Sequence, residues 1–365
     1  MQLEFFPSRT LSFYLARLFV TRILAVLLML VMVLQVLDLL GESGDILAYQ
    51  GNGQMQLLYY VSLRAPQLVA RFLPYSVLLA TIITLVTLNQ NSEVISMKAA
   101  GLSAHQVLAP LMFTALAISV ITFTFNERVV TRSSAALDAW HAVDYGPIPK
   151  DSGVRTNLYL SDGSDLLLAK TMTGTGNAMV LTGVTFYRRD ADDMIVEQLR
   201  SPRATFADPG WKLEKPVRFE VAGTKTTRLA TATVAQGLTP GKVTLANVRA
   251  DSEDIFTLAR SIAAMKAAGR RTSDLDAAWW HKISGPLSST LMPLLGAVAA
   301  FGLARSGQLL IRGAIGMALG FAYFVFDNAA LAMGNFGGYP PLVAAWAPFV
   351  LFALIGETVL IRTEE

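Results

Sequence analysis

The chain has 365 residues, of which 53% are hydrophobic and only 16% are charged, and its net charge is +3. Soluble domains carry roughly 25% charged residues, so this composition argues against a soluble fold. The small excess of basic residues forms no cluster with interleaved aromatic residues, so nucleic-acid binding is not expected.

Six apolar segments lie along the chain, three on each side of a polar insert. Each has about 20 or more largely apolar residues, which is the length that a helix needs to cross roughly 30 Å of hydrocarbon. The segments cover 11–37, 57–88, 107–125, 283–303, 313–333 and 342–361. They predict an α-helical membrane protein with six transmembrane helices and an inserted domain. The expected parts are spans 1 to 3 in 1–129, the insert in 130–250, a connector in 251–275 and spans 4 to 6 in 276–365.

The distribution of lysine and arginine predicts the orientation, because cytoplasmic loops carry an excess of both. One side of the six segments holds Arg9, Arg17, Arg22, Lys98, Arg305, Arg312 and Arg362. The opposite side holds acidic residues after span 1 and a neutral turn before span 6. Both termini are therefore expected in the cytoplasm, with the insert outside.

A short helix is predicted between spans 2 and 3. Ser92 can cap a helix that begins at Glu93, and Gly101 can end it. Ser103 and Gln106 have the spacing of a capping box for span 3.

This short helix has two interpretations, which the spacing alone weighs equally. It is either a plain connector or a coupling helix that receives mechanical input from a cytoplasmic ATPase. In the second case the apolar Val94, Ile95 and Met97 enter a groove on the partner. Glu93 then pairs with a basic group there.

The insert changes to alternating polar and apolar residues, as in 157–160, 184–187 and 217–221. Alternation with a period of two indicates half-buried strands, and Gly-, Pro- and Asp-containing turns separate these runs. The prediction is a compact antiparallel all-β domain, either a sandwich, a jellyroll or an open barrel.

An amphipathic helix is predicted after the insert. Its apolar residues recur at three- and four-residue spacing, and Gly269 is expected to end it. These apolar residues are Ile255, Leu258, Ile262 and Met265. Trp279 and Trp280 then lie where an interfacial aromatic belt is expected.

Residues that suggest catalysis are scarce. His105, His141 and His281 are far apart and lack metal-ligand spacing, so no metal site is proposed. The run 237–243 is one residue short of a phosphate-binding loop and lacks the Ser or Thr after Lys242. We therefore expect that the chain is not an enzyme and that it binds no cofactor itself.

Several runs together resemble the LptF/LptG (YjgP/YjgQ) family of lipopolysaccharide export permeases. They are the segment 92–103, the run 36–40 at the end of span 1, the run 279–288 entering span 4, and the runs 305–307 and 340–348. The resemblance covers essentially the whole chain, including the position of the insert. Span 1 and 279–287 are more similar to the G subunit than to the F subunit.

The resemblance implies an ABC transporter in the bacterial inner membrane, with one LptF-like subunit, one LptG-like subunit, a dimer of the LptB ATPase and LptC. Such a complex extracts lipopolysaccharide and passes it from periplasmic β-jellyroll domains to the LptA bridge. ATP and Mg²⁺ are used by the partner ATPase. The resemblance favours the coupling helix, with Glu93, Val94, Ile95, Met97 and Gly101 as its residues.

Arg64 and Arg71 are candidate contacts for lipid A phosphates. They are seven residues apart, on nearly the same helix face near the outer end of span 2, and guanidinium groups bind phosphate well. Two alternatives stay open, since these side chains can also snorkel to the interface or pair with Asp327 near the outer end of span 5.

The outer end of span 1 departs from the family pattern. G-type members tend to carry lysines there, whereas this chain has Asp38, Glu42 and Asp45. The departure would shift phosphate binding to Arg64, Arg71, Arg128 or Arg132.

Apolar residues of spans 1 and 5 are candidates for an acyl-chain cavity, with ordinary packing or lipid contact as the alternative. They are Leu30, Leu34, Leu37, Phe321 and Phe324. Gly316 and Gly320 allow close helix approach, either at a lateral gate between subunits or within this subunit.

Two other functions fit the layout less well. A membrane-anchored periplasmic assembly or scaffold protein would use the β domain for docking without moving a lipid. A secondary transporter would need paired buried carboxylates and broken, repeated helices, which the spans lack.

Overall fold

A computed structural model of the chain describes residues 7–148, 155–174, 176–223, 225–245, 248–267, 269–301 and 309–364. The helices are α1 (Arg9–Ala48), α2 (Gln54–Gln90), α3 (Glu93–Ala99), α4 (Ala104–Phe125), α5 (Thr131–His141), α6 (Pro240–Leu245), α7 (Ile255–Ala267), α8 (Ser273–Phe301), α9 (Leu309–Asn335) and α10 (Pro341–Glu364). The strands are β1 (Arg155–Asp162), β2 (Asp165–Thr173), β3 (Val180–Arg189), β4 (Ile195–Ala207), β5 (Gly210–Glu214), β6 (Val217–Glu220), β7 (Lys225–Arg228) and β8 (Thr231–Val234).

Five helical stretches among the described residues are long and apolar enough to cross a membrane. They lie in α1, α2, the stretch from α4 to α5, α9 and α10. The predicted fourth span falls in α8, which is not among the five. Residues 302 and 303 of that predicted span lie outside the described residues.

Helix α8 differs from the others because its polar side chains face protein. Ser284, Ser288 and Ser289 are at most 3% exposed, and α8 contacts α2, α4, α9 and α10. A helix enclosed by other helices needs less apolar character than one that faces lipid. The helix therefore forms the centre of the bundle.

Helices α8 and α2 approach each other closely at Gly296. A Cβ atom on this residue would lie 2.7 Å from Thr81 Cγ2.

A single helical rod leads from the bundle towards the β domain. Helix α4 continues through a π-helical turn at Asn126–Val130 into α5. Residues 131–141, which were assigned to the insert from the sequence, are therefore helical. The polar composition of α5 hides its helical character, yet its Leu137 and Trp140 are buried, in a small cluster with Ile46 of α1 and Tyr60 of α2.

The insert forms one antiparallel eight-stranded sheet, as expected for an antiparallel β domain. Strands run in the order β1-β2-β3-β4-β5-β8, while β6 pairs with β4 and β7. The predicted run 184–187 lies in β3, and the predicted run 217–221 lies in β6 except for its last residue. Alternate residues of one face, including Leu167, Phe186 and Leu199, are buried in a core of their own.

Helix α7 connects this domain to α8. Leu258, Ile262 and Met265 are buried along one face, as the sequence predicted, and pack with Leu275 of α8. Gly269 follows with a φ of +70°, and the Arg270 N–H donates to the Met265 carbonyl at 3.0 Å. This hydrogen bond satisfies one of the last carbonyls of α7.

Candidate functional site

The short helix α3 begins without the predicted side-chain cap. Ser92 has a left-handed backbone with φ of 61° and ψ of 13°, and its side chain accepts no capping hydrogen bond. A side-chain cap requires an extended backbone that lets the hydroxyl reach the next amides. The Ser92 prediction is therefore wrong, although the Ser92 carbonyl accepts the Ser96 N–H at 3.0 Å.

The end of α3 and the start of α4 follow the predictions. Gly101 has a φ of +89°, and the Leu102 N–H donates to the Met97 carbonyl at 3.1 Å, as in a glycine-terminated helix. The Ser103 hydroxyl accepts the Gln106 N–H at 3.2 Å, and Gln106 Oε1 accepts the Ser103 N–H at 3.0 Å. Both ends of this connector are thereby fixed.

The apolar residues of α3 divide between the bundle and the surface. Val94 and Met97 are 5% and 8% exposed and belong to the bundle core. Ile95 is 59% exposed. Val94 and Met97 therefore anchor α3 to its own chain, and the interpretation that all three enter a partner's groove needs correction, since only Ile95 is accessible to a partner.

Glu93 connects α3 to α1. Its carboxylate accepts hydrogen bonds from the Tyr14 hydroxyl at 3.0 Å and from Asn91 Nδ2 at 3.2 Å. A carboxylate has about four lone-pair sites, so Glu93 retains acceptor capacity for a further cation.

Arg64 lies in an ion pair with Asp38 rather than with Asp327. Its Nε and Nη2 donate to the two oxygens of Asp38 at 3.1 and 2.9 Å, and the Tyr60 hydroxyl donates to Asp38 Oδ2 at 2.6 Å. Arg64 Nη1 donates to Gln67 Oε1 at 2.9 Å. The guanidinium is thus neutralised within the chain, which weakens its candidacy as a phosphate ligand.

Asp327 has a different partner from the predicted arginines. It is 8% exposed, and its Oδ2 lies 3.0 Å from His281 Nε2 on α8. This contact joins α8 to α9 inside the bundle.

Arg71 and the two arginines after α4, Arg128 and Arg132, have exposed side chains. A charged side chain that is not neutralised by a neighbour is better suited to bind an anionic ligand than one held in an ion pair. Of the four arginines named as phosphate candidates from the sequence, these three are therefore more open to a phosphate than Arg64.

The five candidate acyl-chain contacts do not share one environment, and Leu30 is partly buried. Leu37 and Phe321 are 61% and 62% exposed, and Leu34 is partly buried. Phe324 is 7% exposed and stacks on Tyr75 with ring centroids 3.8 Å apart. Phe324 is therefore a packing residue of the bundle core, and Leu37 and Phe321 remain accessible.

A buried cluster at the junction of the bundle and the insert is missing from the sequence predictions. Glu127 Oε1 accepts from Lys282 Nζ at 3.0 Å, and Glu127 Oε2 accepts the backbone N–H of Ile255. Both charged side chains are at most 14% exposed. The sequence does show a charged residue at the end of each of the two apolar segments concerned. Because 155 residues separate Glu127 from Lys282, their pairing could not be predicted from local pattern.

A second missed contact holds the outer end of α1. The Tyr145 hydroxyl donates to Glu42 Oε2 at 2.6 Å, and Asn52 Nδ2 donates to the carbonyls of Ile46 and Tyr145, each at 2.8 Å. Burial and then the Glu42 carboxylate raise the pKa of Tyr145. Two of the acidic residues that depart from the family pattern, Asp38 and Glu42, thus bind groups of this chain.

Comparison with known proteins gives matches over nearly the whole chain. A family model described as lipopolysaccharide export system permease LptF/LptG matches residues 13–362. The chain is 25% identical over 366 residues to the lipopolysaccharide export system permease protein LptG of Escherichia coli, with 98% of this chain and 99% of that protein covered. It is 24% identical over 306 residues to the protein of the same name from Haemophilus influenzae, with 82% and 84% covered. The chain therefore belongs to the LptF/LptG family of lipopolysaccharide export system permeases.

Proposed function

We propose that this chain is the LptG-like permease subunit of a transporter that extracts lipopolysaccharide from the inner membrane. The observation that carries the proposal is the match to the family over residues 13–362, together with end-to-end similarity to proteins named LptG. ATP is hydrolysed by a partner subunit with Mg²⁺, and this chain converts the partner's movement into a change at the substrate site.

The proposal includes the full membrane topology. Helix α8 is the fourth span in chain order and completes the six, and its serines are tolerated because other helices enclose them. Both termini are proposed to lie in the cytoplasm and the β domain in the periplasm, and the lysine and arginine distribution supports this orientation. That domain is proposed to be jellyroll-like and to pass the lipid onward to a periplasmic LptA bridge.

Helix α3 is the proposed contact with an LptB-like ATPase dimer. Glu93 and Ile95 are available on its surface, while Val94, Met97 and Gly101 fix its position. Because Glu93 also accepts the Tyr14 hydroxyl, displacement of α3 reaches α1 directly. Helix α1 is then the first element of the substrate site to move.

The outer ends of α1, α2 and α9 are the proposed lipid-binding region. Arg71 lies on α2 with an exposed guanidinium for phosphate, and Leu37 and Phe321 offer exposed apolar surface for acyl chains. The remaining wall is expected from an LptF-like subunit, with LptC as a further partner.

Co-purification tests the function. The intact chain is co-expressed with the proposed LptF-like, LptB-like and LptC partners. We expect it to purify in a complex whose ATPase activity responds to added lipopolysaccharide. A stable complex that contains no ATPase would instead support the periplasmic scaffold function and overturn the permease.

Substitutions in α3 test the coupling contact separately. Ile95→Asp is expected to abolish association with the ATPase, since it places a carboxylate in an apolar contact, while thermal stability of the isolated chain stays unchanged. Ala100→Asp is the matched control, because Ala100 is exposed at the end of the same helix and lies about 140° from Ile95 around its axis. Glu93→Lys is expected to disrupt assembly as well. Unchanged assembly and export in both Ile95→Asp and Glu93→Lys would show that α3 is only a connector.

A further inference from the structure

Helix α7 is fixed at its N-terminal end to the outer ends of two bundle helices. The Ile255 carbonyl accepts from Trp279 Nε1 of α8 at 3.1 Å, and the Ile255 N–H donates to Glu127, which directly follows α4. Glu127 also binds Lys282 of α8. The start of α7 therefore lies at the level where α4 and α8 end on the insert side of the bundle.

The segment after α7 is fixed to the same side of the bundle. Arg271 donates to the carbonyl of Phe336, and Ser273 Oγ donates to the carbonyl of Asn335 at 3.2 Å. Asn335 and Phe336 lie at the turn between α9 and α10. A 13-residue helix is about 20 Å long, so α7 runs along the end of the bundle with both ends at one level.

The two faces of α7 have different surroundings. Leu258, Ile262 and Met265 pack towards α8, whereas the opposite face leaves Phe256 78% exposed. Arg260 lies on that opposite face with an exposed guanidinium, one of whose nitrogens donates to Thr257 Oγ1 at 3.1 Å. The rest of this face is formed by the exposed side chains of Ala263 and Ala267.

We propose that this face of α7 lies on the outer leaflet of the membrane, with Phe256 among the acyl chains near the headgroups and Arg260 on a lipid phosphate. The proposal rests on the membrane placement given above. Removing a phenyl ring from water favours its burial among acyl chains, and cationic side chains favour anionic headgroups. Phe336 and Tyr339 at the α9–α10 turn are 80% and 50% exposed, so aromatic side chains recur at this level, as in an interfacial belt.

The absence of cysteine from the chain permits a direct depth measurement. A nitroxide is attached to Phe256→Cys in the assembled complex, reconstituted in vesicles of phosphatidylethanolamine and phosphatidylglycerol, and its collision rates with oxygen and a water-soluble nickel chelate are compared. Leu354→Cys on α10 and Tyr159→Cys on β1 are the matched controls, since their native side chains are 62% and 73% exposed.

The label at 256 is expected to favour oxygen, as at 354, and to differ from the water-exposed label at 159. A label at 256 that behaves like the one at 159 would overturn the proposal while leaving the permease function intact. Poor access of both reagents would mean that a protein subunit covers α7, which also overturns it. A water-exposed label at 354 would instead contradict the membrane placement itself.

The role of Arg260 is tested with the same label. Arg260→Glu combined with Phe256→Cys is expected to move the label towards water, and more so in vesicles that contain phosphatidylglycerol than in vesicles where phosphatidylcholine replaces it. The four samples are the labelled protein with and without Arg260→Glu, each in both kinds of vesicle. An equal depth of the label in all four would contradict the contact between Arg260 and a lipid phosphate.

Discussion

At the residue scale, the charges at the outer end of the bundle are arranged mainly as internal pairs. Arg64 binds Asp38, and Lys282 binds Glu127. An ion pair that is largely removed from water is costly to break, because the remaining charge is left without compensation. Arginines held in this way stabilise the helix arrangement, so the exposed Arg71 is a better candidate than Arg64 for the proposed phosphate contact.

This distinction predicts different effects for two arginines on the same helix. Arg71→Gln is expected to lower lipopolysaccharide photocrosslinking or binding several-fold with little change in melting temperature. Arg64→Gln is expected to lower stability by about 1–3 kcal/mol, since Asp38 loses its charged hydrogen bonds. Thermal unfolding in detergent and lipid binding measured on the same samples separate the two effects. The reverse pattern would contradict the assignment.

A second residue prediction concerns the acid dependence of α7. Asp254 caps this helix by accepting the Thr257 hydroxyl at 2.7 Å and the Thr257 N–H at 3.0 Å, and these bonds lower the pKa of Asp254. A carboxyl whose pKa is lower in the folded state stabilises it above the unfolded pKa of roughly 3.9, and this contribution is lost as pH falls through the folded pKa. The protection factors of α7 amides, which compare each exchange rate with the intrinsic rate at the same pH, are expected to fall below about pH 4.

The control for this prediction is Asp254→Asn, which keeps a capping oxygen without a titrating group. The variant is expected to lose the acid-dependent fall in protection while retaining protection at neutral pH. A fall in protection of the same size in both proteins would assign it to another carboxyl group.

At the element scale, the bundle depends on close approach of α9 to α2. A Cβ atom at Gly320 would overlap the side chain of Leu78. Gly320 of the small-residue pair therefore serves packing within this subunit, which was one of the two alternatives drawn from the sequence. Helices that approach this closely tolerate little added volume.

The close approach predicts a size-exchange effect. Gly320→Val is expected to destabilise the bundle by about 1–3 kcal/mol, the range typical of overpacking. Leu78→Ala in the same chain is expected to restore much of the loss, because it removes the side chain that the new methyl groups contact. Melting temperatures of the two single variants and the double variant measure this coupling. Strictly additive losses would show that the two residues do not share the contact.

At the scale of the whole molecule, a continuous set of contacts runs from the short helix α3 to the insert. Tyr14 joins Glu93 to α1, and the outer end of α1 is held to Tyr145 through Glu42. Tyr145 follows the rod of α4 and α5, which precedes β1. Movement of α3 is thereby linked to both ends of the membrane domain.

The contact of Tyr14 with Glu93 predicts a separation of ATP hydrolysis from transport. Tyr14→Phe is expected to leave assembly and ATPase activity near normal while lowering the lipid exported per ATP several-fold, since only the hydroxyl donor is removed. Tyr49→Phe at the far end of α1 is the matched control. Normal export by Tyr14→Phe would exclude this hydrogen bond from the coupling route.

The sequence predicted helix ends, which depend on neighbouring residues. It did not predict ion pairs between helices, which depend on how distant helices align. The glycine end of α3 and the Ser103 capping box follow from neighbouring residues and are confirmed. The orientation of α3 was also encoded, because Val94 and Met97 are three apart and share a face, whereas Ile95 does not. The pairing of Arg64 with Asp38 was not encoded locally, since it depends on how α1 and α2 align.

The continuous stretch from Ala104 to His141 has a mechanical consequence. Its 38 residues make a rod about 57 Å long, which contacts α8 inside the bundle and could act there as a lever. A tilt of about 10° about its midpoint would carry each end about 5 Å in opposite directions. The π-helical turn at Asn126–Val130 is the point where such a lever bends most readily. A small push beside α3 would thus appear as an opposite swing at the base of the β domain.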